Sequence, residues 1–213
     1  MESVLYNNWF YQEEVMSFVS TTFLPENIPA WQVKSFQGCI PIGTIEFVLS
    51  FINKYYNKSV LPINVPTCLF KYANRDIFNG TEKDIKQISF IKSNDKIKGF
   101  IDIAKEAPVG NYQISSIISD IISEYRVFVY KGKIVGLKHY CGDFSVFPDI
   151  NIINNIVKDY INQPIAYTLD IGIDNLGVTF IIEINQFFSC GLYGFNDYKI
   201  LPYMYKSAFL ELI

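Results

Sequence analysis

Three observations predict an α+β fold for this 213-residue chain. Apolar residues recur at helical spacing in its first third, and the part after residue 86 breaks into short strand-like runs. A single helical segment then separates two hairpins formed by those runs. Half of the residues are hydrophobic, 16% are aromatic and 18% are charged. Such a chain folds, either as one compact domain or as two small lobes with a cleft between them.

Taking the elements in order, Val15, Met16, Phe18, Val19 and Phe23 give residues 12–23 the spacing of an amphipathic helix, which Pro25 ends. After Gly43, the residues Ile45, Phe47, Val48, Phe51, Ile52 and Tyr55 predict a second helix, with Thr44 as N-cap and Glu46 in its first turn. Residues 57–66 are irregular. Strand-like runs follow at 87–92, 124–130, 133–139, 166–173 and 178–185, and Ile150, Ile152, Ile153, Ile156, Val157, Tyr160 and Ile161 predict a helix over 149–163, closed by Pro164. Residues 114–122 conflict, because their spacing favours a helix while their isoleucines favour a strand. No repeat, low-complexity tract or long Gly/Ser linker is present, so a lobe boundary must be a short connection. It is placed between Asn79 and Lys86, which gives an N-terminal α/β lobe at 1–85 and a catalytic region at 86–213.

The formal charge of −3 offers no general attraction to polyanions, so a sequence-independent nucleic-acid partner is not expected. No apolar run approaches the ~20 residues of a membrane-spanning helix, and residues 1–11 lack the marks of a signal peptide. A cytoplasmic protein with no membrane partner is the expectation. Cys39, Cys68, Cys141 and Cys190 form no CxxC pair, and His139 is the only histidine. Reduced, mostly buried thiols are therefore expected rather than a zinc site.

The strands YTLDIGI and VTFIIEIN, joined by Asp174-Asn175-Leu176-Gly177, read as a hairpin. With those four residues as the loop, Ile173 pairs with Val178 and Asp170 lies opposite Ile181, placing Glu183 and Asn185 on the face of Asp170. Leu169, Ile171, Ile173, Val178, Phe180, Ile182 and Ile184 form the opposite, apolar face. Two carboxylates and an amide with no basic partner on either strand suit magnesium, which prefers oxygen ligands. A solvated acidic face fits the same spacing, and spacing alone leaves both readings open. In the other hairpin, EYRVFVYKGKIVGLKHY, a Lys131-Gly132 turn pairs Tyr130 with Lys133 and Arg126 with Leu137. Arg126 then lies among Phe128, Tyr130, Val135 and Leu137, either as a snorkelling surface residue or as a fixed anion clamp.

The order FIKS, SEYRVFVYKGKIVG, AYTLDIGI, IIEIN and FFSCGLYG resembles the ATP-grasp superfamily, in particular a short, divergent clade found in bacteria and phages. The resemblance spans residues 41–205, with PIGTIEFV and NVPTCLFKYANRD as its less diagnostic N-terminal portion. It implies an ATP-grasp fold of two α+β lobes with antiparallel sheets and the nucleotide cleft between them. It also implies ATP and Mg2+ as cofactors, and a ligase that activates a carboxylate as an acyl phosphate for capture by an amine or another nucleophile. The substrate is a peptide, an amino acid or a protein, and the alternative is a non-catalytic nucleotide-binding or interaction protein of the same fold.

By the same resemblance Asp170, Glu183 and Asn185 match metal ligands, and Arg126 matches the arginine that stabilises transferred phosphoryl charge. Lys92 matches the lysine that reaches the phosphates, Lys98 a second basic position, and Glu124 a residue near the nucleotide or one that orients Arg126. The sequence departs from better-known members in having SNDKIKGF, with only Gly99, where a glycine-rich loop follows Lys92. The resemblance implies strand and hinge at 114–122. Cys190 reads as a structural or pocket-lining thiol rather than a nucleophile, and His139 as a packed or surface residue.

Overall fold

The computed structural model describes Ser3–Tyr6, Asn27–Pro29 and residues 39–213. The helix expected over 12–23 lies outside the described residues. The chain divides into two compact units, one made of residues 1–59, 164–167 and 186–213, the other of 60–163 and 168–185.

In the first unit, β1 (Ser3–Tyr6) lies between β2 (Asn27–Pro29) and β3 (Cys39–Ile42) in a parallel sheet. Helix α1 (Ile45–Tyr56) begins as expected: the Thr44 side chain accepts from the Phe47 N–H at 3.3 Å, satisfying one of the orphan amides of the first turn. It ends where Asn57 turns left-handed at φ 52°. Val48, Phe51 and Ile52 are its buried face, and Phe51 packs against Phe209 of α3 (Leu201–Leu212) with ring centroids 6.1 Å apart. Cys190, also in this unit, is buried.

The second unit holds two four-stranded antiparallel sheets. The first has the order β4-β7-β5-β6, from β4 (Ile77–Thr81), β5 (Ser89–Ser93), β6 (Ile101–Ala104) and β7 (Asn111–Ser115). The second has the order β11-β10-β8-β9, from β8 (Ile121–Tyr130), β9 (Lys133–Gly142), β10 (Ala166–Asp174) and β11 (Thr179–Gln186), of which 168–174 and 179–185 belong to this unit. β10 is central and buried along its whole length, so its polar residues Thr168 and Asp170 are enclosed. Helix α2 (Ile150–Asp159) is capped by Asp149, which accepts from the Asn151 N–H at 2.8 Å, and it buries Ile153, Ile156 and Val157. It stops short of the expected Gln163, because the chain becomes extended at Tyr160 and left-handed at Asn162.

Residues 114–122 form no helix. β7 runs to Ser115, residues 116–120 are irregular, and β8 starts at Ile121. Pairing partners on both sides favour the extended state of these β-branched residues.

Both hairpins depart from the expected register. Tyr130 pairs with Lys133 as read, but a register shift between Phe128 and Val129 places Arg126 opposite Lys138 rather than Leu137, and a second between Glu124 and Tyr125 sets Glu124 opposite Cys141. At the other turn the Gly177 N–H donates to Asp174 O at 3.0 Å and the Asp174 N–H to Val178 O at 3.2 Å. The loop is therefore the three residues 175–177, with Gly177 at φ +79° where a side chain would be strained. The one-residue change exchanges faces at the start of β11. A Cβ on Gly172 would lie 2.5 Å from the Phe180 ring, so Phe180 sits on the face of Gly172 and Asp170, not on the face of Leu169.

Candidate active site

A cavity of about 220 Å³ opens between the two sheets of the second unit. Phe90 and Lys92 of β5, Ile103 of β6, Gln113 and Ser115 of β7, and Phe180, Ile182 and Glu183 of β11 line it. The irregular segment after β7 closes it with Ile117 and Ile118. Its wall is mostly apolar and carries three charged residues, Lys92, Glu183 and Arg75.

Ile182 and Glu183 are consecutive, yet both face the cavity. The Arg75 guanidinium shows why. Its Nη1 donates to Ile181 O at 2.9 Å and its Nη2 to Ile182 O at 3.0 Å. A regular strand points successive carbonyls in opposite directions, so β11 is irregular here, and the irregularity returns Glu183 to the side of Asp170 after the shifted turn. Beyond it, the Ile184 N–H donates to Asn64 O at 2.9 Å, which covers the open edge of the strand. Asn64 in turn donates to Asn94 Oδ1 at 2.7 Å, tying this edge to the segment after β5.

Lys92 and Glu183 form an ion pair across the two sheets. Burial pushes the Lys92 amine down to about 8, against the upward pull of the Asp170 charge and with the downward push of the Arg75 cation. Glu183 also accepts from Asn185 Nδ2 at 2.7 Å. Behind this group lies a second pair: Arg126 Nε and Nη2 donate to Asp170 Oδ1 and Oδ2, both at 2.7 Å, with 10% and 4% of the side chains exposed. This is the bidentate geometry in which arginine holds a carboxylate most strongly. Glu124 accepts from the Tyr140 hydroxyl at 2.5 Å. The Arg126 guanidinium carbon lies 5.8 Å from the centroid of the Tyr140 ring. The second register shift leaves Tyr140 as the extra residue between His139 and Cys141, on the side of Glu124 and Arg126. Burial, the Asp170 charge and the Glu124 hydrogen bond all raise the Tyr140 phenol, which stays protonated.

Of the residues singled out in the sequence, Lys92 and Glu183 thus line the cavity, Asn185 is bonded to Glu183, and Arg126, Asp170 and Glu124 form the layer beside them. Lys98 is exposed, left-handed at φ 51°, in the turn between β5 and β6. That turn is tied down by Asp95, which accepts from the Asn111 N–H at 2.7 Å and from Asn111 Nδ2 at 2.9 Å. His139 packs edge-on against Tyr125, with centroids 5.1 Å apart, and Cys141 is exposed rather than buried. Arg75 and Gln113 belong to the cavity wall without having been singled out. Arg75 stands in the NVPTCLFKYANRD stretch, but an arginine in a loop gives no local sign of carbonyl partners more than a hundred residues away.

The donors fit a hard cation in kind, with two carboxylates and one amide oxygen among Asp170, Glu183 and Asn185. Among the described residues no group of three or more His, Cys, Asp and Glu side chains is placed to hold a metal, and both Asp170 oxygens are taken by Arg126.

A family model described as an ATP-grasp domain, family 2 of its clade, matches residues 72–202. No curated protein matches the chain. Among solved structures the chain is similar to N5-carboxyaminoimidazole synthetase from Staphylococcus aureus complexed with ADP, at 12% identity and a TM-score of 0.51, covering 94% of this chain and 70% of that one. It is also similar to D-alanine–D-alanine ligase from Bacillus anthracis, at 9% identity and a TM-score of 0.49, covering 100% and 96%. A RimK domain protein ATP-grasp from Sphaerobacter thermophilus aligns at 11% identity and a TM-score of 0.46, covering 99% of each chain.

Proposed function

Because this chain belongs to family 2 of a clade of ATP-grasp domains, we propose that it is an ATP- and magnesium-dependent ligase acting through an acyl phosphate. The observation that carries this reading is one cation–carboxylate pair in the cavity wall, Lys92 with Glu183, with a second buried pair, Arg126 with Asp170, near enough for the Asp170 charge to act on Lys92. Four buried or half-buried charges in such an arrangement are costly to assemble for stability alone. They suit a ligand that brings both signs of charge, as a nucleotide polyphosphate with its cation does.

Asp170, Glu183 and Asn185 would hold magnesium, which when bound withdraws charge from the phosphates. Lys92 and Arg126, released from their carboxylates, bind phosphate oxygens. Tyr140 and Glu124 keep Arg126 in place, and Lys98 contributes positive charge at the β5–β6 turn. The apolar lining residues Phe90, Ile103, Ile117 and Ile118 take a flat, weakly polar ring and exclude water from it. The substrate carboxylate oxygen attacks the γ-phosphorus, and the bond to the bridging oxygen breaks to leave ADP. An amine or another nucleophile then attacks the acyl carbon and expels phosphate. The carboxylate belongs to a peptide, an amino acid or a protein. Residues 86–213 form the proposed catalytic region, to which Arg75 adds a wall residue from 1–85.

Trapping with hydroxylamine tests the chemistry, because an acyl phosphate gives a hydroxamate in step with ADP release. Such release should require magnesium and a carboxylate and should disappear in Asp170→Asn and Glu183→Gln. Either variant turning over ATP at the wild-type rate would remove that residue from the metal set.

A further inference from the structure

Asn64 lies before β4, outside residues 72–202 of the family match, and the chemistry above gives it no role. Its carbonyl accepts from the Ile184 N–H at 2.9 Å, and Ile184 follows Glu183 in β11. Its side-chain Nδ2 donates to Ser93 O at 3.0 Å, and Ser93 follows Lys92 in β5. One residue therefore bonds to the chain neighbours of both members of the cross-sheet pair Lys92–Glu183. Val65 adds a third anchor, on β7: its N–H donates to Gln113 Oε1 at 3.1 Å, and Gln113 Nε2 donates to Val65 O at 2.8 Å.

This tie stands against two local penalties. Asn64 is left-handed at φ 54°, a conformation that costs any residue with a side chain, although asparagine less than most. It is also 2% exposed. Its Nδ2 is used on Ser93 O and Asn94 Oδ1, while among the described residues its Oδ1 meets no donor, and a buried acceptor left unmet is destabilising. Glycine would satisfy the same turn without either penalty. What glycine lacks is the amide that reaches the second sheet.

We propose that Asn64 is a positioning residue that fixes the gap between Lys92 and Glu183, and through that gap the size of cation the site accepts together with a nucleotide. The inference rests on the reading of this group as a nucleotide and metal site. A cation between Glu183 and a phosphate held by Lys92 spans two metal–oxygen bonds. Each is about 2.0–2.1 Å for magnesium and about 2.3–2.6 Å for calcium, which also tolerates irregular geometry. A gap held from both sheets suits the shorter pair of bonds and strains the longer. A gap free to open takes either.

The test is calorimetric titration of wild type and Asn64→Gly with a non-hydrolysable ATP analogue, in magnesium and, separately, in calcium. Glycine keeps the left-handed backbone and the carbonyl that Ile184 bonds to, and removes the bonds to Ser93 and Asn94. Wild type should bind the analogue more tightly with magnesium than with calcium. Asn64→Gly should lose about ten- to a hundredfold in magnesium and less in calcium, so that the preference shrinks. Both ions are titrated on the same variant, so a smaller folded fraction weakens both alike and cancels in the ratio. A second readout needs no variant: in wild type the Asn64 side-chain amide protons should exchange with water at least about tenfold more slowly than those of an exposed asparagine. Three results would each overturn the inference and leave the proposed function standing: metal-dependent binding in wild type without preference for magnesium, an Asn64→Gly preference equal to that of wild type, or Asn64 amide protons that exchange as fast as exposed ones. Wild type that binds no analogue, or binds it equally with and without either ion, would refute the proposed function and this inference with it.

Discussion

Replacing Arg126 by methionine removes the partner of a carboxylate with 4% of its side chain exposed, held by two hydrogen bonds of 2.7 Å. A pair this enclosed behaves unlike a surface ion pair, for which about 0–1 kcal/mol is typical. Stranding one member of a buried pair costs about 3–5 kcal/mol, mostly because the remaining charge keeps its desolvation penalty. At about 2–4 °C per kcal/mol for a chain of this size, the melting temperature should fall by about 6–20 °C. Asp170→Leu alone should be comparably damaging. The double variant Arg126→Met with Asp170→Leu should recover most of the loss, because neither charge then remains unpaired. Thermal unfolding of wild type, both single variants and the double variant closes the cycle. Single losses below about 1 kcal/mol, or a double variant as unstable as the sum of the two singles, would refute the pair as a buried, mutually dependent unit.

Gly172→Ala would set a methyl 2.5 Å from the buried Phe180 ring; an overpacking loss of about 1–3 kcal/mol, reduced by adding Phe180→Leu, is expected in urea unfolding. Asp159 accepts from Lys71 Nζ at 2.6 Å and from the Tyr72 hydroxyl at 2.8 Å. The Lys71 hydrogen bond lowers the Asp159 carboxyl below its ordinary 3.8 and raises Lys71 above 10.5. A depressed carboxyl stabilises above its unfolded value and loses that contribution as pH falls through its folded value, while a raised amine loses its own as pH rises past 10.5. The stability difference between wild type and Asp159→Asn should therefore be flat from about pH 5 to 10 and shrink below about pH 4. A difference unchanged at pH 2 would rule out the pair as its source.

The local signals in the sequence were reliable where the physics is local. Thr44 and the apolar spacing behind it mark α1, and Asp149 with its isoleucines marks α2, because caps and periodicity act within a turn or two. Register was legible only to within a residue. Gly177 allows a three-residue loop as readily as a four-residue one, and the difference exchanges the faces of Phe180 and Thr179. The acidic face showed no basic partner on its own two strands, and that remains true. Its cations arrive from outside the hairpin, Arg126 on β8 of the same sheet and Lys92 on β5 of the other, by contacts a hairpin cannot reveal. Arg75 was invisible for the same reason, since its carbonyls belong to a strand met a hundred residues later. Family resemblance, rather than spacing, is what joined Lys92, Arg126, Asp170 and Glu183 into one site before the fold was known.

The central claim is that this group of paired charges receives a nucleotide polyphosphate together with magnesium. Calorimetric titration with a non-hydrolysable ATP analogue, with and without magnesium, tests it most directly in wild type and Glu183→Gln. Magnesium or nucleotide alone would take one member of each pair and leave the other unsatisfied, so the account predicts binding that magnesium strengthens at least tenfold in wild type, and that loses this dependence in Glu183→Gln. Well-folded wild type that binds no nucleotide, or binds it equally with and without magnesium, would contradict the claim.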